Sequence, residues 1–375
     1  MSTTGSEVTA AAKSGPPAIA PGELTGALDR AALRATNPDI DDAAFDAKWS
    51  AAIADPFAFF RAFAAAYHAD LAALDASRVP GGEALCVGDA HPENFGWMRI
   101  GDDDVFAVND FDDAGYCPVA FDAVRYFVAL SLAEDDDGLT QSAIERYVDT
   151  VKDGSRAVTI DHGLAPSWSK VRSKGLSNAT DGDAFILGDA TGLAAVTPEE
   201  RDTLAAFVAG DARLDGAVVR DAAAFTKTDG GSAGLLRYWL LADPSGDATI
   251  LELKAVVKPG VEWGRHTRTL SFEQRFATLK KAFWGKSAKK DTFGVDLFGR
   301  QFMLRDRLIR QSTKLGDLDD ATLAQVVGVE ASQLALAHAG ALTSIKKDPL
   351  RAWLIGTTST LASRWKTAWQ VARGE

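Results

Sequence analysis

The spacing of apolar positions changes along this chain, and the changes divide it. After Asp55-Pro56, residues Phe60, Phe63, Tyr67, Leu71 and Leu74 recur every three or four positions, the period of one helix face, with Asp55 as cap and Pro56 in the first turn. Gly81-Gly82 breaks this helix. Ala84-Leu85-Cys86-Val87 is then a short apolar run, as in a buried strand. Trp97-Met98-Arg99-Ile100 and Val105-Phe106-Ala107-Val108, joined by Gly101-Asp102-Asp103-Asp104, predict a hairpin. Helices are expected over 124–132, ended by Asp135-Asp136-Asp137-Gly138, and over 141–151. From 155 to 220 Gly, Asp and Ser break every pattern, apart from a short helix after Thr197-Pro198. Strand-like runs then take over at 224–228, 236–241 and 249–257, with a turn at Asp243-Pro244-Ser245-Gly246-Asp247. Alternation puts Ile250, Glu252, Lys254 and Val256 on one face of the third. A helix over 272–283, strands at 295–297 and 301–304, and helices over 320–339 and 352–371 complete the chain, which has no internal repeat.

Composition narrows the class. The 375 residues, 46% hydrophobic and 25% charged, are ordinary for a globular protein with a substantial core. A net charge of −12 argues against non-specific binding to nucleic acid or anionic membrane, and no apolar run is long enough to span a bilayer. Two cysteines, Cys86 and Cys117, imply no disulfide framework and fit a cytoplasmic location. The small, polar, Pro-containing start, without an apolar signal core, predicts a flexible tail over 1–22.

The chemistry concentrates in Gly88-Asp89-Ala90-His91-Pro92-Glu93-Asn94-Phe95-Gly96 and Asn109-Asp110-Phe111-Asp112-Asp113-Ala114. A hairpin returns its far end to its near end, so Asn94 and Asp110 should meet. An amide oxygen beside carboxylates suits Mg²⁺, which makes Asn94, Asp110 and Asp112 the expected metal ligands. Asp89 would then lie beside the metal as a base, with His91 supporting the loop or touching the transferred phosphate, as in kinase-like phosphoryl transfer. Asp102 to Asp104 are solvated turn residues by the same reasoning. Polar turns are common, but Asp89, His91, Asn94, Asp110 and Asp112 border apolar strands, where unpaired polar groups are costly. Gly230-Gly231-Ser232-Ala233-Gly234 is a second signal: glycines let backbone N–H groups approach phosphates, and Lys254 on a following strand can reach the same phosphates. Alone that loop is weak, because Gly-Gly-Ser turns are common and strand lysines usually face solvent. Asp122 either caps the following helix or braces the catalytic loop. Arg125 pairs with it or points outward, Glu273 pairs with Lys254 or is solvated, and His338 fits a core or capping role.

These segments resemble known proteins. Gly88 to Asn94 resembles the catalytic loop of aminoglycoside-phosphotransferase-like kinases, and Asp110 to Tyr116 with Phe121-Asp122 resembles the metal-binding segment of that protein-kinase-like superfamily. The chain is also similar to the bacterial domain-of-unknown-function family 2252. The similarity rests on Asp55-Pro56-Phe57, both acidic motifs, Gly231-Ser232-Ala233-Gly234 with Arg237-Tyr238, and Leu251-Glu252-Leu253-Lys254. It continues in Gln274-Arg275, Met303-Leu304-Arg305 and Leu336-Ala337-His338-Ala339, so that it spans about 50 to 345. The resemblance implies Asp89 as base, Asn94 and Asp110 as metal ligands and Lys254 as the phosphate-orienting lysine. Two departures stand out. The catalytic loop precedes the glycine loop and lysine, which suggests a circularly permuted fold. Asp306-Arg307-Leu308-Ile309 replaces the Glu-Leu-Gln-Pro common in relatives.

The expectation is an α+β, two-lobed, protein-kinase-like fold: a tail over 1–22, a helical catalytic lobe over 23–221, a β-rich nucleotide lobe over 222–310 and closing helices over 311–375. It would bind ATP and Mg²⁺, with Gly231, Ser232, Ala233, Gly234, Arg237 and Lys254 on the nucleotide. It would transfer the γ-phosphoryl group to a hydroxyl of a small molecule or protein, with no nucleic acid or membrane partner. The rivals are a nucleotide-binding pseudokinase and, further off, a metal-dependent phosphoesterase using Asp89, His91, Asp110 and Asp112. The latter would normally need more than the five histidines this chain spreads along its length.

Overall fold

The computed structural model describes residues 15–134, 136–214, 216–243, 248–285 and 292–374, and its architecture is mixed α+β. After α1 (Arg30–Ala35) and α2 (Asp42–Ala52), Asp55 caps α3 (Pro56–Ala62) by accepting the Ala58 N–H. Phe63, at φ −127° and ψ 54°, then interrupts the path and α4 (Ala64–Leu71) begins. Two short helices therefore replace the single one expected, although Phe60, Phe63, Tyr67, Leu71 and Leu74 are all buried as their spacing requires. The predicted hairpin forms as β2 (Phe95–Ile100) and β3 (Asp103–Val108), with Trp97 opposite Phe106. It is preceded by β1 (Glu83–Cys86) and followed by β4 (Gly115–Pro118), which pair antiparallel.

Two helices follow, α5 (Val119–Glu134) and α6 (Asp137–Lys152). The first is apolar around most of its circumference and buries thirteen residues, so it forms the centre of the largest core. The segment 155–220 holds α7 (Trp168–Ala179), which the broken sequence pattern conceals, the small hairpin β5 (Thr180–Asp181) and β6 (Ala184–Phe185), β7 (Leu193–Ala195), and α8 (Pro198–Gly210), started by a Thr197–Glu200 capping box.

Next come β8 (Val218–Phe225), β9 (Arg237–Asp243) and β10 (Thr249–Ala255). The strand expected over 224–228 thus ends at Phe225 and lies mostly upstream, in a Val- and Ala-rich run whose pairing with β9, not side-chain propensity, makes it a strand. The predicted turn residues 244–247 lie outside the described residues, as do residues 1–14 of the expected tail. The helix at 272–283 is α9 (Phe272–Leu279) followed by a π turn, Lys280–Trp284. Strands β11 (Thr292–Leu297), β12 (Arg300–Asp306) and β13 (Arg310–Ser312) precede α10 (Asp320–Leu342) and α11 (Lys347–Arg373).

Strands order β11-β12-β10-β9-β8-β7 in one antiparallel sheet. Strand β13 instead joins the β2–β3 hairpin, so the chain returns from the sheet to the acidic motifs. One face of the large sheet, with Tyr238, Leu240, Leu251, Leu253 and Leu304, packs under Leu204 and Val208 of α8. The opposite face carries Arg237, Trp239, Glu252, Lys254 and Arg305, in registered pairs across three strands. Helices α10 and α11 pack on α6 and α5.

Two expectations are corrected. Residues 15–22 are anchored, not a loose tail: Ile19 is buried, its N–H donates to Thr357 Oγ1 (3.2 Å), and its carbonyl accepts from Thr360 Oγ1 (2.9 Å). Cys86 and Cys117 form a disulfide across the β1–β4 pair, with Cα atoms 6.0 Å apart. Pairing of the two strands supplies a proximity that a separation of 31 residues does not advertise. Among the described residues, no helix is long and apolar enough to cross a membrane.

Candidate active site

The hairpin brings its two ends together. Asn109 donates its N–H to the Asn94 carbonyl (2.9 Å), and the Asn94 side-chain amide donates to the carbonyls of Asp89 (3.0 Å) and Asp110 (3.1 Å). Asn94 and Asp110 therefore meet as the spacing predicted. Those two donations fix the amide, and its oxygen is the atom left for the cleft. Below the loop Asp122, fully buried, accepts the N–H groups of Val87 and Gly88 (both 2.8 Å) and a bond from His338 Nε2 (3.2 Å). Burial alone would raise the Asp122 carboxyl, but His338 and the two backbone N–H groups outweigh it and hold the group below its usual range. Tyr147 OH reaches the other nitrogen of His338 at 2.9 Å. Asp122 is thus a brace for the loop, and His338 is part of it. Gly88, at φ +84°, admits no side chain, because a Cβ would fall 2.0 Å from the Asp113 carbonyl.

Asp89 is held from α5. Arg125, with no exposed surface, donates Nε (3.0 Å) and Nη2 (2.5 Å) to Asp89 Oδ1, while His91 Nε2 lies 3.6 Å from Oδ2. Burial pushes the Asp89 carboxyl up, yet Arg125 and His91 prevail and keep it well below the carboxylate range. Arg125 therefore serves Asp89, not Asp122. Sequence alone left its partner open because the pairing depends on how α5 passes beneath the loop.

The sheet supplies the opposite wall. Lys254, 2% exposed, lies 3.1 Å from Asp110 Oδ2 and against Asp112 Oδ2, and Arg305 Nη1 is 3.5 Å from Asp110. Burial raises the Asp110 carboxyl, but Lys254 and Arg305 bring it down to about 2. Neighbouring Asp113 goes the other way, to about 6, through burial and the nearby Asp89 charge. Behind Lys254, the buried Glu252 receives Arg237 (3.2 Å), Arg305 (2.7 Å), Arg307 (2.8 Å) and the Trp239 indole N–H (3.1 Å). One carboxylate among three guanidiniums leaves that wall strongly cationic. Glu273 is not the partner of Lys254; it is exposed and accepts from Gln301 Nε2 (2.7 Å).

Asp89, His91, Asn94, Asp110, Asp112, Gly231, Ser232, Arg237 and Lys254 all line one cleft of about 620 Å³. Arg237 also binds Ser232, through Oγ (2.6 Å) and the carbonyl (3.2 Å). Ala233 and Gly234 do not face the cleft: Ala233 is buried, and a Cβ on Gly234 would meet Ala44 and Ile40 beside α2. Arg61 of α3, Lys227 and Arg305 also line the cleft and were not assigned to it from sequence, since single charged residues brought together only by tertiary packing carry no pattern of their own. A second cavity of about 890 Å³ adjoins the first and shares Phe225, Arg307, Arg310 and Ser312 with it. Phe225 and Trp239 stack there at 4.2 Å, and the Arg307 guanidinium lies 4.3 Å from the Trp239 ring. Arg307 and Leu308 also line this cavity.

A family model described as "Uncharacterized protein conserved in bacteria (DUF2252)" matches residues 41–160. That stretch runs from α2 through α6 and contains both acidic motifs, Asp122 and Arg125; the glycine loop, Lys254 and the six-stranded sheet lie outside it. No curated protein and no solved structure matches the chain.

Proposed function

We propose that the protein is an ATP- and Mg²⁺-dependent phosphotransferase with a circularly permuted, protein-kinase-like arrangement, acting on a hydroxyl of a small molecule or protein. One observation carries this reading. A buried lysine from the sheet, Lys254, reaches across 144 residues of sequence to Asp110 of an acidic motif, beside Asp89 and Asn94. Lysine, amide and two carboxylates on facing walls are what phosphoryl transfer asks for, since its catalysis is mostly positioning and charge compensation.

The donor set fits a hard cation. Asn94, Asp110 and Asp112 offer oxygen only, and the Asp110 and Asp112 carboxylates, paired with Lys254, stand together at the cleft. Among the described residues no three His, Cys, Asp or Glu side chains are grouped to hold a metal. Mg²⁺ uses one or two carboxylates and completes its shell with water and phosphate oxygens. Bound there, it would neutralise charge on the β- and γ-phosphates. Lys254 and the guanidiniums around Glu252 would hold the remaining phosphate oxygens, and the Phe225–Trp239 cavity offers apolar faces for the base. Asp89 would orient the acceptor hydroxyl through Oδ2 and take its proton. The acceptor oxygen forms a bond to the γ-phosphorus, the bond from that phosphorus to the β–γ bridging oxygen breaks, and ADP leaves. Its low proton affinity makes Asp89 chiefly an orienting group, acceptable where the transition state is loose and the proton leaves late.

The first test is thermal unfolding with ATP or ADP, with Mg²⁺ and then with EDTA. A ligand at a hundred times its Kd stabilises by about 2.7 kcal/mol, so a Mg-dependent rise in Tm is expected. No shift at millimolar nucleotide would overturn the nucleotide site. Because Arg125 already occupies one oxygen of Asp89, a nucleotide-binding scaffold without transfer is the second reading. Phosphate transfer from labelled ATP, or its absence alongside binding, decides between them.

A further inference from the structure

Gly231 forms the partition between two cavities. On one side is the acidic cleft; on the other is a cavity of about 50 Å³ bordered by Asn37, Phe63, Asp113 and Lys48. Lys48 belongs to α2, 183 residues from Gly231 in sequence. Its side chain is 1% exposed, and its ammonium donates to the Gly231 carbonyl (2.5 Å) and to Asn37 Oδ1 (2.7 Å). The Phe63 ring lies 5.5 Å away. A buried ammonium on a small domain helix is costly unless it is held by acceptors.

The consequence follows from the planar trans peptide, in which the carbonyl of one residue and the N–H of the next point in opposite directions. The Gly231 carbonyl points at Lys48, away from the cleft, so the Ser232 N–H points the other way. Among the described residues, that N–H donates to no other group, whereas Ala233, Gly234 and Leu235 all use theirs within the loop. Gly231 also approaches the reactive centre closely enough that an added Cβ would lie 3.4 Å from Asp89 Oδ2.

We propose that Lys48 is a positioning residue: by holding the Gly231 carbonyl from below, it presents the Ser232 N–H to the cleft as an anion donor next to Asp89. The glycine loop is thereby pinned to the helical body that carries the acidic motifs. The identification of the anion as a nucleotide phosphate rests on the phosphotransfer reading; the pinning does not. Burial lowers the Lys48 ammonium to about 7, partly opposed by Asp113 and Asp89, in keeping with a group placed for its hydrogen bonds.

The test compares the full chain with Lys48→Met and Lys48→Arg, using Lys48→Gln if the methionine variant does not fold. Hydrogen exchange of loop 227–236 in the free protein should accelerate tenfold or more in Lys48→Met and less in Lys48→Arg, with α5 unchanged; equal exchange would overturn the pinning. Calorimetric titration with Mg-ATP and with inorganic pyrophosphate then reads the donor. A tenfold or greater loss of affinity in Lys48→Met supports it, and equal affinity overturns it. If the wild-type protein binds pyrophosphate but not ATP, the nucleotide reading fails while the Lys48 comparison still stands. If it binds neither, both fail.

Discussion

Arg125 donates two N–H groups to a single oxygen of Asp89 and leaves the other oxygen beside Gly231. The pair sets both the stability and the chemistry of the loop. Removing one partner strands a buried charge, so Arg125→Met should destabilise the fold by about 3–5 kcal/mol in denaturant unfolding. A loss below about 1 kcal/mol would mean that the guanidinium is hydrated and not locked to Asp89.

Asp89→Asn should lower phosphoryl transfer by about 10²- to 10⁴-fold, the usual contribution of a positioned base, while Mg-nucleotide affinity changes little. Loss of binding instead would make Asp89 a scaffold residue.

Asp110→Asn should weaken nucleotide binding with Mg²⁺ and have a smaller effect without it, because an amide holds the cation poorly and also releases Lys254. Calorimetry at several Mg²⁺ concentrations measures this. Unchanged affinity would move the cation elsewhere.

His68 lies under the Asp89 loop, where its Nε2–H donates to the Gly88 carbonyl (2.7 Å), and burial lowers its pKa from 6.5 to about 4. Between those values the unfolded chain binds a proton that the folded one does not. The His68 contribution is therefore whole above pH 6.5 and lost as pH falls toward 4. The wild type should lose more stability across that window than His68→Asn. Parallel Tm–pH curves for the two would show that His68 titrates normally in the fold.

The Cys86–Cys117 bridge closes a loop containing both acidic motifs. A closed loop of this size is worth about 3–4 kcal/mol by loop entropy, so reduction should lower Tm by a few degrees, and Cys117→Ala should abolish the difference. An identical Tm with and without reductant would argue against the bridge in solution.

The legible parts of this protein are those encoded by local spacing. The hairpin announced itself through two short, mainly apolar runs and a Gly-Asp turn, and pairing of its strands brings Asn94 to Asp110. The helix expected over 320–339 forms as Asp320–Leu342, and alternation in β10 placed Glu252 and Lys254 on one face. Where the pattern was weak, boundaries drifted: alanine-rich β8 has little intrinsic strand preference, and Phe63 breaks a helix whose apolar period runs straight through it.

The sequence by itself determined the loop chemistry: which carboxylates, which amide and which lysine stand in short motifs, and which faces are apolar. Tertiary structure alone decided who meets whom. Arg125 could have faced Asp122 or solvent, and only the path of α5 under the loop gives it Asp89. Lys48, on a distant helix, reaches Gly231 because α2 lies beneath the glycine loop. Cys86 meets Cys117 because β1 pairs with β4. Contacts of this kind join residues far apart in sequence, and their geometry is fixed by the packing of whole elements, which no local pattern of residues records.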